Sequence, residues 1–68
     1  YPNPTDGLIM VNKNIVTQIR IYDIKGRMIM NSYDSSIDLS NVKNGVYLVR
    51  LFRKDISEWE TKRVIKGI

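Results

Sequence analysis

The segment from Val42 to Leu51 limits the possible folds of this chain more than any other. Its sequence is VKNGVYLVRL, in which a polar turn ends at Gly45, Tyr47 follows two residues later, and an apolar run continues. In β-sandwich domains this pattern is typical of a tyrosine corner, where the phenol hydroxyl bonds to the backbone a few residues upstream. We therefore predict two packed sheets, with Val42 as the apolar anchor beneath the corner.

Short apolar runs separated by turn residues fill the rest of the chain. The strands predicted from alternation and turn signals are Leu8–Val11, Ile15–Asp23, Arg27–Ser32, Ser36–Leu39, Val46–Phe52 and Glu58–Lys66. No segment shows sustained helical spacing. The predicted fold class is therefore all-β, an antiparallel sandwich of short strands.

The faces of three strands bear on the core. Period-two alternation in the second strand predicts that one face carries Ile15, Thr17, Ile19 and Ile21, directed inward. In the third strand Met28 and Met30 share one face, and the alternation leaves open whether that face is buried. The strand Val46–Phe52 is apolar on both faces, which favours a central position in its sheet or one face left for a partner.

The size and the composition exclude most kinds of chemistry. The 68 residues form one domain, and a domain this small buries only about 60% of the surface of its unfolded chain. Without Cys or His, the chain lacks disulfides, a typical zinc site and the usual nucleophile–base pairs. Its carboxylates fall mostly in turns and on outward faces, and no loop gathers three acids for calcium. We predict no catalytic, cofactor or metal site.

The first residue and the charge bear on where the chain acts. It begins at Tyr1 rather than Met, so we expect a fragment of a longer polypeptide. Its apolar runs are too short to cross a bilayer. Of the net charge of +4, +3 lies within residues 50–66. We interpret this excess as solvated strand faces rather than a nucleic-acid surface, because Asp55, Glu58 and Glu60 are interleaved with it.

Four motifs, in order along the chain, are similar to those of a known family. They are Tyr1-Pro2-Asn3-Pro4, Ile21-Tyr22-Asp23-Ile24-Lys25-Gly26-Arg27, Ile37-Asp38-Leu39-Ser40 through Asn44-Gly45-Val46-Tyr47-Leu48-Val49-Arg50-Leu51, and Lys62-Arg63-Val64-Ile65-Lys66. The chain resembles the type A C-terminal sorting domain of the type IX secretion system (Por secretion system) of Bacteroidota. Two departures are modest: Arg27 stands where Lys is commoner, and Gly67-Ile68 follows the final lysine.

The resemblance implies a fold, a route and a set of residues. The fold is an Ig-like β-sandwich of about seven strands, a single domain over residues 1–68 at the C-terminus of a larger exported protein. The attached cargo passes through the periplasm and the outer-membrane export machinery to the cell surface or the medium, and a sortase-like protease processes it. The family-motif and recognition residues carried over to this chain are Tyr1, Pro2, Asn3, Pro4, Tyr22, Asp23, Gly26, Asp38, Leu39, Gly45, Tyr47, Val49, Lys62, Val64, Ile65 and Lys66.

For the mechanism, we hypothesise that an edge strand pairs with the export machinery by β-augmentation, and the last strand is the candidate. Leu48, Arg50 and Phe52 would supply a neighbouring patch of side chains. This hypothesis needs a folded domain with an accessible sheet edge.

Three other functions stay open on the residues alone. A carbohydrate-binding accessory module needs coplanar exposed aromatics, and Trp59 is expected to pack in the core rather than to stack on a sugar or base. A nucleic-acid binder would use the basic C-terminal strands and would lose affinity steeply with salt. A structural spacer would need no recognition surface at all.

Overall fold

The computed structural model describes residues 7–67, and within this range it is built from strands and turns. The strands are β1 (Leu8–Met10), β2 (Val16–Tyr22), β3 (Met28–Ser32), β4 (Ser36–Asp38), β5 (Gly45–Arg53) and β6 (Glu58–Lys66). No helix occurs among these residues, and hence none that could span a membrane. The first motif, Tyr1 to Pro4, lies outside the described residues.

The strands form two antiparallel sheets that enclose one core. The larger sheet has the order β3-β2-β5-β6, and β1 pairs with β4 in a two-stranded ribbon. Ile9 and Ile37 of the ribbon join Ile19, Ile21 and Val49 of the larger sheet in a single buried cluster. The predicted all-β antiparallel sandwich is confirmed. The turn signals and the resemblance allowed about seven strands, whereas residues 7–67 form six, which correspond to the six alternating segments.

A β-bulge changes the inward face of β2. Val16 pairs with Arg53 of β5, but Gln18 pairs with Phe52, so Thr17 is an extra residue in the ladder. Val16 is consequently buried and Thr17 exposed, while Ile15 packs against the core from the preceding turn. The prediction that Thr17 faces the core is therefore wrong, because one inserted residue reverses the parity of the strand.

A second bulge lies in the β2–β3 hairpin. Ile21 pairs with Met30 and Tyr22 pairs with Met28, which leaves Ile29 as the extra residue. Met30 packs against the core, whereas Met28 is 56% exposed. The two methionines do not share a face as the alternation predicted, because the bulge turns one of them outward.

The central position predicted for the strongest strand is confirmed. β5 lies between β2 and β6, and it pairs with β6 from Gly45–Lys66 to Arg53–Glu58 without a register shift. Tyr47, Val49 and Leu51 are buried on its inner face. Its outer face is only half-buried, so one side of this central strand stays accessible.

The tyrosine corner joins the two sheets where the chain crosses from β4 to β5. The hydroxyl of Tyr47 donates a 2.6 Å hydrogen bond to the carbonyl oxygen of Lys43, four residues upstream. Val42 packs against the core beneath it, as predicted, and its N–H donates to the carbonyl of Leu39 at 3.1 Å. The crossover is thereby fixed at both ends.

Replacing Tyr47 with Phe tests the corner. The variant keeps the ring in the core but loses the hydroxyl, so we expect unfolding in denaturant to need about 1 kcal/mol less free energy. Tyr22→Phe is the matched control, since the Tyr22 hydroxyl makes no hydrogen bond within residues 7–67. Equal stability of the two variants would contradict a structural role for the Tyr47 hydroxyl.

Candidate recognition site

Most of the motif residues build the fold rather than its surface. Four of them lie in the buried core: Leu39, Tyr47, Val49 and Val64. Lys66 is only 8% exposed, and its ammonium donates a 3.0 Å hydrogen bond to Oδ1 of Asn44. Its strand partner is Gly45, so the end of β6 is held against the corner. These residues hold the strands in place and contribute little accessible surface.

Asp23 organises the hairpin between β2 and β3. Its Oδ1 accepts hydrogen bonds from the N–H groups of Lys25 and Arg27 at 2.9 and 3.0 Å, and its Oδ2 accepts one from Nε of Arg27 at 2.9 Å. The hydrogen bond from the N–H of Arg27 contributes most to holding the pKa of Asp23 below its ordinary value, and with the other hydrogen bonds it outweighs the opposing effect of desolvation. Gly26 completes the turn with φ +87°, a conformation that side chains disfavour.

Asp38 organises the start of the crossover to β5. Its Oδ1 accepts a 2.8 Å hydrogen bond from the N–H of Ser40, which lowers the pKa of Asp38. The neighbouring N–H of Leu39 donates to the carbonyl of Gly7 at 2.7 Å. A Cβ on Gly7 would lie 3.1 Å from the Ser40 nitrogen, so a side chain here would require the Ser40 backbone to shift. The acid is therefore a turn-former.

Of the described motif residues that lie outside the core and the turns, three are accessible. Tyr22 is half-buried on the outer face of the larger sheet, Lys62 is exposed, and Ile65 is 39% exposed. Lys62 and Ile65 belong to β6, which terminates the larger sheet. Tyr22 and Ile65 thus share the outer face of that sheet, whereas Lys62 pairs with the buried Val49 and belongs to the inner face at the β6 edge.

A cluster of cations and aromatic rings covers this outer face. The guanidinium carbons of Arg20 and Arg50 lie 4.6 and 5.2 Å from the centroid of the Trp59 ring. Phe52 meets Trp59 edge to face, with ring centroids 5.3 Å apart and an angle of 66°. We call these four residues the arginine–tryptophan cluster. Cation–π contacts of this kind hold a guanidinium in place without consuming its terminal N–H donors.

The prediction that Trp59 packs in the core is wrong. Trp59 is half-buried and pairs with Phe52, on the face of β6 opposite the buried Val64. Trp59 and Val64 are five positions apart in an unbroken strand, so their side chains point to opposite faces. The indole is therefore occupied by its own neighbours, which leaves a poor platform for a sugar ring.

The two arginines of the cluster form no ion pair with any acid in residues 7–67. Arg20 and Arg50 pair directly across β2 and β5, where like charges repel. The Nε atoms of both are buried and have no hydrogen-bond partner within residues 7–67. Glu60 belongs to the other face of β6, where one carboxylate oxygen lies 3.6 Å from NH1 of Arg53.

A second feature is an open cleft of about 300 Å³ between the two sheets, beside Arg53. Its lining is Met10, Val11, Asn12, Ile15, Val16, Leu51, Arg53 and Glu60. Arg53 also binds Asp55, with 2.6 Å between NH2 and Oδ2, and this contact lowers the pKa of the carboxyl. Within residues 7–67 no group of three metal-ligating side chains occurs here or elsewhere.

Comparison with known proteins identifies the family. The chain matches the secretion system C-terminal sorting domain over residues 1–66, and it belongs to this family. It is a sorting signal for type IX secretion, a role that implies interaction with that machinery and export to the cell surface or the medium. The family is one of signals rather than catalysts. No curated protein matches the chain.

Part of this outer face could be predicted from the sequence, and part of it could not. Leu48, Arg50 and Phe52 share the outer face of β5, as expected. Arg20 and Trp59 were missed as members of the same cluster. Their position depends on how β2 and β6 align with β5, and alternation within one strand does not reveal that alignment.

The carboxylate of Asp23 makes a pH-dependent contribution to stability. Because its pKa is lowered in the folded state, this contribution is complete above the ordinary value of 3.8 and is lost as pH falls through the lowered value. Asp23→Asn should be less stable than the native chain near neutral pH, with a shallower loss of stability in acid.

Denaturant unfolding at a series of pH values measures this difference. Asp34→Asn is the control, because the Asp34 carboxylate accepts no hydrogen bond within residues 7–67. The same acid slope for Asp23→Asn and the native chain would show that the turn does not depend on the charge.

Proposed function

We propose that this chain is a single C-terminal domain of a longer exported protein and that it addresses the attached cargo to the type IX machinery. The match to the sorting-domain family over residues 1–66 carries this proposal. The closed core supports it, because a signal that is read after folding needs a fixed surface. The cargo precedes the domain and crosses the inner membrane by the general pathway.

The route continues in the periplasm. There the folded domain meets components of the outer-membrane export machinery, which pass the cargo outward. A sortase-like protease then removes the domain and joins the cargo to anionic lipopolysaccharide. The domain has no catalytic activity of its own. Its lack of Cys and His supports this assignment.

The motif residues divide between two tasks. The buried members and the turn-formers Asp23 and Asp38 hold the strands in register. The accessible members, Tyr22, Lys62 and Ile65, contact the machinery together with the first motif, Tyr1 to Pro4. Tyr22 and Ile65 share the outer face of the larger sheet, and Lys62 and Ile65 share its β6 edge, which supports a contact area around that edge.

Recognition uses the edge of β6 as a template for a partner strand. β6 spans nine residues, against five for β3 at the opposite edge. The half of β6 from Glu58 to Lys62 lies at the end of the strand distant from the tyrosine corner, and this half pairs with the partner strand. In β-augmentation the main chain supplies affinity, and alternate side chains supply specificity.

A reporter fusion tests the assignment as a sorting signal. We expect a periplasmic reporter that carries these 68 residues at its C-terminus to reach the cell surface in a host with type IX secretion. The same fusion in a host without the outer-membrane machinery should stay in the periplasm. If the reporter stays in the periplasm of both hosts, the chain is a structural spacer rather than a sorting signal.

Proline substitutions test the pairing edge. In an antiparallel ladder, successive residues of an edge strand direct their N–H groups alternately toward the neighbouring strand and away from it. Proline at Glu60, Thr61 and Lys62 in turn removes each donor, and only the outward ones can be lost without unfolding. Variants that keep the melting temperature of the native fusion should lose surface display.

Normal display of those folded variants would exclude edge pairing along this half of β6. The substitutions are sharper than deletion of residues 62–68. That deletion also removes the core residue Val64 and the Lys66 contact with Asn44, so it unfolds the domain as well as shortening the edge.

A further inference from the structure

The arginine–tryptophan cluster is more ordered than solubility requires. Arg20 and Arg50 belong to neighbouring strands, and Trp59 belongs to a third. The indole fixes both guanidinium groups on one half-buried patch, and the two cations are brought together rather than spread apart. Like charges placed opposite each other weaken a sheet. The arrangement therefore lowers the stability of the fold, and some other interaction must offset this loss.

Among residues 7–67 the outer face offers that cluster no counter-ion. The row of paired residues that crosses the sheet through the cluster is Asn31, Arg20, Arg50 and Thr61. The residues at its two ends, Asn31 and Thr61, are uncharged. By strand alternation, the two acids of β6, Glu58 and Glu60, lie on the other face. Within residues 7–67 neither Arg20 nor Arg50 makes an ion pair with an acid. The complement of this patch is an anion from outside the described chain.

The neighbours of the cluster favour an anionic side chain of a protein. Phe52 and Leu48 are half-buried beside it, and Val46 is 39% exposed on the same face. Protein interfaces concentrate their binding energy where aromatic rings and arginines lie among apolar contacts. A planar guanidinium also binds a carboxylate through two parallel hydrogen bonds.

We infer that Arg20 and Arg50, fixed by Trp59, form a docking site for a carboxylate of a partner protein, on an acidic segment flanked by apolar residues. The inference rests on the proposed function, since the partner belongs to the export machinery. It adds a charged contact on the outer face to the main-chain pairing at the edge. The carboxylate would accept hydrogen bonds from the terminal N–H groups of the two guanidinium groups.

Neutralising the pair tests the docking site. In the reporter fusion, the double variant Arg20→Gln and Arg50→Gln should reduce surface display about tenfold or more, as expected for an interfacial hot spot. The matched control is Lys13→Gln with Lys54→Gln, which removes the same charge from two exposed side chains outside the cluster. The control should display normally.

Two further measurements separate recognition from folding. The melting temperature of the glutamine variant should stay close to that of the native fusion, because the substitution relieves the repulsion between the arginines as it removes the cation–π contacts. If the glutamine variant has a lower melting temperature, the double variant Arg20→Lys and Arg50→Lys takes its place in the test. It keeps both positive charges and loses only the planar guanidinium groups. Reduced display of the lysine variant supports the site, and normal display overturns it.

Photo-crosslinking from Thr61, the neighbour of Arg50 in β6, identifies the source of the anion. The expected adduct is a protein segment that contains Asp or Glu. Changing that acid to Lys should abolish display, and Arg50→Glu in the domain should restore it. An adduct with lipid or polysaccharide alone would overturn the inference.

The outcomes also distinguish this inference from the proposed function. If the native fusion fails to reach the surface, the assignment as a sorting signal fails. If the native fusion and a folded glutamine variant are displayed equally, the sorting role stands and the docking site is refuted.

Discussion

The hydrogen bond from the Tyr47 hydroxyl to the Lys43 carbonyl is the contact on which the rest of the domain depends. A chain of 68 residues without Cys has little buried surface and no covalent staple to hold two sheets together. The corner supplies this constraint locally, at the point where the chain leaves the ribbon and enters the larger sheet. It also sets where β5 begins, and β5 then aligns both β2 and β6.

The division of the family motifs follows from this arrangement. Most of the residues that define the sorting motifs in the sequence have a structural role in the folded domain. Val49 and Val64 fill the core, while Asp23 and Asp38 close turns through their own backbone neighbours. The surface that a partner can touch is drawn largely from residues between the motif positions, such as Arg20 and Trp59.

Sequence alone predicts the strand positions and the corner because these depend on local signals. The last strand, Glu58–Lys66, was predicted with the bounds that the structure has, and Gly26 supplies the turn that the hairpin needs. The faces of β2 and β3 were predicted less well. A bulge inserts one residue without any change in composition, so Thr17 and Met28 turn outward where strict alternation placed them otherwise. The prediction for Trp59 was wrong for a different reason. A large apolar ring suggests a core position, but the odd spacing between Trp59 and Val64 places the ring on the outer face.

The arginine–tryptophan cluster takes one side chain from β2, two from β5 and one from β6. No stretch of the unfolded chain brings these groups together, and a hairpin of any two strands leaves the group incomplete. A partner that binds the cluster would therefore distinguish a finished domain from a nascent or damaged one. The surface that guides export would double as a proofreading device for the fold.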